Sequence, residues 1–151
     1  MIIRKYRPSD INEIYQLFYD TVHSINLGDY TEEQVNAWAD GNMDENRWNR
    51  SFLEHKTFVA VIDDTIVGFG DIENTGHLDR LYVHKDFQHR GIATAICDKL
   101  ETVFDTDTVF TEASITAKPF FEKRGYRVIY EQQVERHGVK MTNYRMSKIL
   151  I

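Results

Sequence analysis

The stretch from residue 81 to residue 93 constrains the fold of this chain more than any other part of the sequence. It begins with the strand-like Leu81–Val83, passes through a polar loop, and ends at the small residues Gly91 and Ala93. Apolar residues at helical spacing continue to Phe104, so the loop leads into the amino terminus of a helix. Glycine lets the backbone approach a ligand closely there, and the free amides attract an anion such as a pyrophosphate.

The loop alone supports two interpretations. It has the pattern Gln88-x-x-Gly91-x-Ala93, in which His89 and Arg90 are further hydrogen-bond donors for a phosphate. The same pattern also fits an ordinary strand–loop–helix junction, because a single glycine at a helix start is common. The loop chemistry by itself therefore leaves both a phosphate site and a purely structural turn open.

The rest of the sequence alternates between helical and strand patterns. Helical spacing predicts helices at residues 9–25, 31–38, 46–53, 91–104 and 117–124. Alternating or β-branched runs predict strands at residues 2–6, 57–62, 66–72, 77–83, 108–113, 126–134 and 139–147. Thr31 and Gln34 fit a capping box at the start of the second helix. An antiparallel meander mixed with helices indicates an α+β fold around one sheet.

Composition limits the class of protein and of partner. The 151 residues suffice for one domain, and the single cysteine, Cys97, cannot form an internal disulfide, which favours the cytoplasm. A formal net charge of -6 argues against a nucleic acid or an anionic membrane as partner. The longest apolar run, Phe58–Ile62, is far too short to span a membrane. The six histidines show no metal-ligand spacing, so we expect no metal site.

Residues 81–93 resemble the acetyl-CoA-binding motif of the GNAT superfamily, the GCN5-related N-acetyltransferases. The matching pattern is Leu-Tyr-Val-x-x-x-x-Gln-x-x-Gly-Ile-Ala. A second block, Ala113–Tyr126, resembles the next segment of that family, where a strand end precedes a short helix that ends in a Phe-Tyr-Glu-Lys-x-Gly-Phe type of sequence. The order of the predicted elements also resembles the GNAT fold over essentially the whole chain.

The resemblance implies both a fold and an activity. It implies a single GNAT acetyltransferase domain over residues 1–151, with a twisted, mostly antiparallel sheet that is splayed at the cofactor strand and flanked by helices. The implied enzyme is an acetyl-CoA-dependent N-acetyltransferase. In it, a primary amine of a small molecule or peptide attacks the thioester directly in a ternary complex.

The resemblance further implies where acetyl-CoA binds. The backbone of Leu81–Val83 would pair with the pantetheine arm, and the Leu81 amide would donate to the thioester carbonyl. Ser114 stands where many members have an asparagine that bonds the pantetheine, and Phe121 would pack beside that arm. The expected cofactor-binding residues are Leu81, Tyr82, Val83, Gln88, His89, Arg90, Gly91, Ile92, Ala93, Thr94, Ser114 and Phe121.

His77 and Asp79 are the expected catalytic residues. Strand alternation puts both on one face together with Leu81. The resemblance places His77 where several GNAT enzymes have a glutamate or histidine base. We therefore expect His77 to accept the proton of the amine and Asp79 to orient it or to relay the proton through water. A second interpretation makes His77 a solvated strand-end residue and Asp79 a partner of Arg80 or another surface cation.

The sequence departs from the family pattern at Phe121, where many members have a tyrosine that protonates the departing thiolate. Phenylalanine cannot donate a proton, so water, Ser114 or Tyr144 would do so, or the thiolate would leave unassisted. This departure motivates a second hypothesis, a catalytically weak acetyl-CoA-binding sensor or interaction module. The edge strands of the carboxyl-terminal hairpin also favour a homodimer.

An aromatic-rich region lies between the first predicted helix and the first predicted hairpin. In GNAT folds this region often lines the acceptor pocket, although core packing explains most of these rings equally well. The residues concerned are Tyr15, Tyr19, His23, Tyr30, Trp38 and Trp48.

Overall fold

The structure, a computed structural model, describes residues 1–150 of the chain. Within these residues the elements in chain order are β1 (Ile2–Lys5), α1 (Ile11–Val22), α2 (Glu32–Trp38), α3 (Glu45–Glu54), β2 (Lys56–Ile62), β3 (Thr65–Ile72), β4 (Leu78–Val83), α4 (Ile92–Leu100), β5 (Thr108–Ser114), α5 (Lys118–Lys123), β6 (Arg127–Arg136) and β7 (Val139–Ile149). Short 3-10 turns at Pro8–Asp10 and Asn26–Gly28 flank α1. None of the helices among residues 1–150 is long and apolar enough to cross a membrane.

The strands form two antiparallel sheets that meet between β4 and β5. One sheet has the order β1-β2-β3-β4 and the other the order β5-β7-β6. A parallel bridge between His77 and Phe110 joins them, and the Thr111 hydroxyl donates to the Leu78 carbonyl at 2.8 Å. Beyond these contacts β4 and β5 belong to separate sheets. The α+β class is confirmed, and the sheet that the sequence predicted is divided at this splay.

Two apolar cores lie on opposite sides of the sheets. The first is formed mainly under α1, α2 and α3, and the second under α4 and α5. Fully burying a side chain of this size stabilises the fold by roughly 1.5–3 kcal/mol, so both layers are held firmly to the strands. The most deeply buried members are Ile14, Val22, Val35, Phe52 and Phe69 in the first core and Ile92, Ile96, Leu100, Val109 and Met146 in the second.

Helix α4 packs directly onto the backbone of β3. A Cβ at Gly68 would lie 2.9 Å from Cγ2 of Ile92, and a Cβ at Gly70 would lie 3.0 Å from Cγ2 of Ile96. A larger residue at either glycine would force the α4 side chains that lie over it to shift. This close approach fixes the amino terminus of α4 beside the end of β4, where the candidate site lies.

Two helices end earlier than their hydrophobic spacing predicts. Helix α1 ends at Val22 rather than at residue 25, and α4 ends at Leu100 rather than at residue 104. Just beyond these ends, the hydroxyls of Ser24 and Thr102 donate to carbonyls four residues earlier, at 2.5 and 2.9 Å. Such side chains compete for helix carbonyls and favour termination.

The capping box predicted at the start of α2 is confirmed. The backbone amide of Gln34 donates to the Thr31 hydroxyl at 3.1 Å, and the Thr31 amide donates to the Gln34 side chain at 2.9 Å. Two free amides of the first turn are thereby satisfied.

Candidate active site

A cavity of about 730 Å³ occupies the opening between β4 and β5. The loop before α4 lines one side of the cavity, and residues from α2, β6 and β7 line the other side. This volume lies within the range of cavities that bind small molecules and cofactors. The cavity is therefore the candidate site.

Most of the expected site residues lie along this cavity. Those that line it are Asp79, Leu81, Tyr82, Val83, Gln88, His89, Gly91, Ile92, Ala93, Thr94, Ser114 and Phe121. Arg90 and His77 lie outside the lining. The guanidinium of Arg90 sits over the ring of Phe87, 5.0 Å from its centroid, and the ring of His77 stacks on Phe110. The structure brings the residues together, and their binding roles stay predictions.

The loop before α4 has a left-handed backbone at two positions. His89 has a φ of 60° and Gly91, which caps α4, a φ of 78°. A Cβ at Gly91 would meet no atom within 4 Å. Backbone conformation rather than crowding therefore makes glycine the suitable residue at this cap. The uncapped first-turn amides of α4 form the kind of site that accepts a phosphate.

Gln88 ties the loop to the end of β4. Its side-chain amide donates to the Val83 carbonyl at 2.8 Å, and the Thr21 hydroxyl of α1 donates to the same carbonyl at 3.0 Å. Gln88 thus holds the loop in place, in addition to lining the cavity. The free edge of β4 between the His77 bridge and Val83 faces the opening toward β5.

Ser114 and Phe121 lie across the opening from β4. The Ser114 hydroxyl accepts a hydrogen bond from the Ala117 amide at 3.0 Å, which leaves its own proton free for one bond to a ligand. Phe121 is buried and packs edge-on against Tyr126, with ring centroids 4.9 Å apart. The phenylalanine is therefore part of the second core as well as of the cavity wall.

His77 is held between two carboxylates that sequence reasoning missed. Nδ1 bonds the Glu73 carboxylate, and Nε2 lies 3.1 Å from Oε2 of Glu112. Burial disfavours the imidazolium, but the hydrogen bonds to Glu112 and Glu73 outweigh it and raise the pKa of His77 to about 9. Near neutral pH both ring nitrogens therefore carry protons, and the ring cannot accept another.

Asp79 does not orient His77, contrary to the expected pairing. The His77 ring has Glu73 and Glu112 as its partners, whereas the Asp79 carboxylate pairs with the Arg80 guanidinium at 3.5 Å. Partial desolvation raises the pKa of the Asp79 carboxyl, although Arg80 opposes the change. Unlike His77, Asp79 lines the cavity.

A further cluster brings Asp79 near His55 and Asp71. One ligand atom from each of these residues lies within 4.8 Å of the others, a proximity that the sequence spacing did not reveal. The Arg80 guanidinium already donates to Asp71 at 2.6 Å, and Nδ1 of His55 lies 2.8 Å from the same carboxylate. The expectation that no metal binds stays a prediction.

The family model for the "Acetyltransferase (GNAT) domain" matches residues 26–148. The chain belongs to the GNAT acetyltransferase family. It is 35% identical over 146 residues to the uncharacterised N-acetyltransferase YafP of Escherichia coli (strain K12). The aligned residues cover 95% of this chain and 93% of YafP. The protein is thus an acyltransferase, an N-acetyltransferase that depends on acetyl-CoA as its family does.

Solved GNAT structures share the fold. A GCN5-related N-acetyltransferase from Rhodopseudomonas palustris superposes with a TM-score of 0.95 at 31% identity, covering 99% of this chain and 95% of the other. PaiA N-acetyltransferase from Thermoplasma acidophilum, solved in complex with coenzyme A, superposes with a TM-score of 0.79 at 18% identity, covering 98% of each chain.

The aromatic region expected near the acceptor divides between cavity and core. Tyr30 and Trp38 line the GNAT cavity. Tyr15 and Trp48 instead pack edge-on against each other at 5.5 Å in the first core. Helical spacing alone could not separate the aromatic residues of the cavity from those of the core. The separation depends on long-range packing, such as that of α2 against β7.

Two signals in the sequence pointed to the partners of His77. Glu73 directly precedes the turn before β4, and Glu112 lies two residues before Ser114, on the same face of β5. Neither signal says that the two carboxylates face the same imidazole. That depends on the parallel bridge between the ends of the two sheets.

Proposed function

We propose that this protein, as one GNAT domain over residues 1–151, transfers an acetyl group from acetyl-CoA to a primary amine of a small molecule or peptide. The transfer is a direct attack in a ternary complex. The observation that carries the proposal is the cavity, which joins the helix start at Gly91 to the carboxylate of Asp79 along the free edge of β4.

The residues around the cavity fit acetyl-CoA. The amides after Gly91 are free to receive the phosphates, and the side chains of His89 and Thr94 line the same part of the cavity. The edge of β4 at Leu81–Val83 has no strand partner toward β5 and can receive the pantetheine arm, although the Val83 carbonyl is already bonded by Gln88 and Thr21. Ser114 retains one hydroxyl proton for the same arm. When bound, acetyl-CoA supplies the thioester that the amine attacks, and the Leu81 amide donates to its carbonyl oxygen.

We assign the proton transfer to Asp79 rather than to His77. The ionised carboxylate accepts a proton from the ammonium form of the acceptor, directly or through one water. Although Asp79 is exposed, partial desolvation and the neighbouring Asp71 carboxylate raise the pKa of its carboxyl above the ordinary aspartate value. His77 is then a positioning residue, because its imidazolium holds Glu112 beside the opening. Glu112 stays ionised, since His77 lowers the pKa of its carboxyl.

The thiolate leaves without a tyrosine to protonate it. Phe121 has no proton to donate, and Tyr144 lies outside the cavity lining, with the Lys118 ammonium 5.2 Å from its ring centroid. A thiolate is a good leaving group near neutral pH because it is only a weak base, so protonation by water suffices.

The experiment is a measurement of coenzyme A release with a broad panel of primary amines, with binding of acetyl-CoA measured in parallel. Turnover that depends on the amine supports the proposal. Tight binding of acetyl-CoA without turnover on any amine favours the second candidate, a sensor or interaction module, which the loss of the tyrosine at Phe121 motivates. Comparing acetyl-, propionyl- and succinyl-CoA identifies the preferred acyl donor.

We also propose a homodimer through the edge of the second sheet. β6 is the outer strand of that sheet, and three apolar residues on it, Val128, Ile129 and Tyr130, are exposed. An unpaired strand with apolar side chains pairs readily with another chain. Light scattering after size-exclusion chromatography gives the mass, and a monomer at all concentrations contradicts the dimer.

A further inference from the structure

One amide oxygen in the wall of the cavity has no hydrogen-bond partner. Asn143 of β7 is only 8% exposed and lines the cavity. Its Oδ1 atom is buried and accepts no hydrogen bond from any group in residues 1–150. A buried amide oxygen that accepts no hydrogen bond is costly, and native proteins seldom keep one without a use for it.

The groups around Asn143 are already committed. The Tyr30 hydroxyl donates to the Thr142 carbonyl at 2.6 Å and accepts from the Ile115 amide at 2.9 Å. Ser114, the cross-strand partner of Asn143 on β5, accepts from the Ala117 amide. These neighbours leave Oδ1 of Asn143 without a protein partner, in a residue that lines the cavity.

Arg136 brings a free positive charge to the same cavity. It ends β6, lines the cavity, and forms no ion pair with any residue from 1 to 150. Strand pairing puts it opposite Val139, two residues before Met141 and four before Asn143, so all four share one face of the sheet. Its charge also reaches the Tyr82 hydroxyl, where it opposes the burial that raises the pKa of that tyrosine to about 12.

The charged side chains that line the cavity include two carboxylates, Asp79 and Glu112, and two cations, Lys123 and Arg136. The carboxylates of Asp79 and Glu112 lie at the opening between β4 and β5, and the cation of Arg136 lies at the end of the β6–β7 hairpin. Apolar and aromatic side chains from Tyr30, Trp38 and Met141 line the same cavity. A ligand that matches these groups carries both an amine and an anion.

We propose that the acetyl acceptor is a small amine that also carries a carboxylate, with free amino acids as the simplest class. Arg136 binds the carboxylate, and the Asn143 amide bonds a polar group next to it while the amine faces Asp79. This inference rests on the proposed acetyl transfer to amines and adds the substrate class to it.

Matched acceptors test the charge requirement. For several side chains, the amino acid, its carboxamide and the decarboxylated amine are compared in the coenzyme A release assay. We expect kcat/KM to be about 10- to 100-fold higher for the amino acid, the range of a charge-assisted ion contact. Arg136→Gln should remove this preference through the KM of the acceptor and leave the KM of acetyl-CoA unchanged.

Arg127→Gln is the matched control, because Arg127 lies on the same strand and outside the cavity lining. It should keep the preference for the carboxylate. Equal kcat/KM values for the three acceptors, or an unchanged preference in Arg136→Gln, overturn the inference while acetyl transfer to amines stands.

Asn143→Leu separates a ligand-binding amide from a structural one. Leucine removes an unsatisfied amide at nearly constant volume, so the thermal midpoint should stay level or rise while the KM of the amino acid increases about tenfold. Asn143→Ser serves if the leucine variant does not fold. A rise in the KM of acetyl-CoA alone assigns the amide to the cofactor and overturns its proposed role.

A binding measurement decides the inference even without turnover. Amino acids and their decarboxylated amines are titrated by calorimetry into the protein saturated with coenzyme A. Binding that requires the carboxylate and is lost in Arg136→Gln supports the inference, even if the proposed transfer fails. Binding of the decarboxylated amines with equal affinity, or no binding of any amino acid, contradicts it.

Discussion

The loop at residues 88–94 and the carboxylate cluster of Glu73, His77, Asp79 and Glu112 are built differently, although both contribute to the same cavity, the cluster through Asp79 and Glu112. The loop is local: Gly91 caps the helix that follows it, and Gln88 bonds the strand that precedes it. The cluster is assembled from β4, the turn before it and β5. Glu112 of β5 follows His77 by 35 residues in the sequence. Local chemistry is visible in a short stretch of sequence, whereas the cluster exists only once the two sheets meet.

The difference has a consequence for protonation. No side chain of the loop needs to change its charge for the loop to bind an anion, because its donors are backbone amides. In the cluster, each carboxylate changes the pKa of its neighbours, so the position of one side chain decides which group is basic. Substitutions in the cluster should therefore lower kcat, whereas substitutions in the loop should weaken the binding of acetyl-CoA.

The largest expected effect is at Asp79. Asp79→Asn removes the proposed base, and kcat should fall by about 100-fold or more, since general bases contribute roughly 10²–10⁴. The KM of acetyl-CoA should stay the same, because the loop is untouched. Steady-state kinetics with both substrates varied measures the two parameters.

Asp64→Asn is the control for this substitution. Asp64 is exposed in the β2–β3 turn with a φ of 63°, a conformation that asparagine tolerates well. It should keep the wild-type kcat. A wild-type kcat in Asp79→Asn would remove Asp79 from the mechanism.

Gly91→Val should produce the next largest effect, at the other region. A β-branched residue at a φ of 78° is strained, so the first turn of α4 has to rearrange. We expect the KM of acetyl-CoA to rise about 10- to 100-fold with a smaller change in kcat. Fluorescence or calorimetric titration of coenzyme A checks the loss directly.

Gly138→Val separates strain from binding. Gly138 has a φ of 77°, and a Cβ there would also meet no atom within 4 Å, but it lies in the β6–β7 turn. Both variants should lose about 1–2 kcal/mol of stability, and only Gly91→Val should lose affinity for coenzyme A. Equal affinities would show that the loop does not bind the cofactor.

The sequence predicts the elements of this fold well because their signals are local. The capping box at Thr31, the hairpin turns and the helix start at Gly91 each depend on neighbouring residues, and the structure has all of them. Hydrophobic spacing predicts ends of α1 and α4 that lie a few residues beyond the observed ones. It does not account for the hydroxyls of Ser24 and Thr102, which compete for helix carbonyls.

The chemistry of the cluster was harder to predict. Strand alternation suggested that His77 and Asp79 act together, but the bridge between His77 and Phe110 turns the imidazole toward Glu112 instead. The unpartnered Oδ1 of Asn143 gave no sequence signal, since the groups around it include Tyr30, which lies 113 residues earlier and bonds two backbone groups of its own. Long-range packing decided both outcomes.

The charge of His77 should make stability depend on pH. The pKa of His77 is raised from 6.5 to about 9, so its imidazolium stabilises the fold fully below pH 6.5 and ceases to do so as the pH rises through 9. Relative to His77→Gln, the wild type should lose about 1–2 kcal/mol of unfolding free energy between pH 6 and pH 10, allowing for coupling to Glu73 and Glu112.

Urea unfolding of both proteins at a series of pH values measures this difference. His55→Gln is the comparison, because His55 also lies beside a buried carboxylate but outside the His77 cluster. An opposite slope, with the wild type gaining stability relative to His77→Gln above pH 7, would show that His77 is neutral in the fold and restore it as a candidate base.

The smallest expected effect is at Phe121, which lies between the two regions. Phe121→Tyr restores a hydroxyl at the position where the family resemblance implies a proton donor. Because a thiolate leaves readily near neutral pH, kcat should rise only about two- to threefold. The new hydroxyl enters a nearly fully buried position, so the unfolding free energy should fall by about 1 kcal/mol. Phe120→Tyr, with the adjacent ring altered, should leave kcat unchanged, and a tenfold or greater rise in Phe121→Tyr would show that protonation of the thiolate limits the wild-type enzyme.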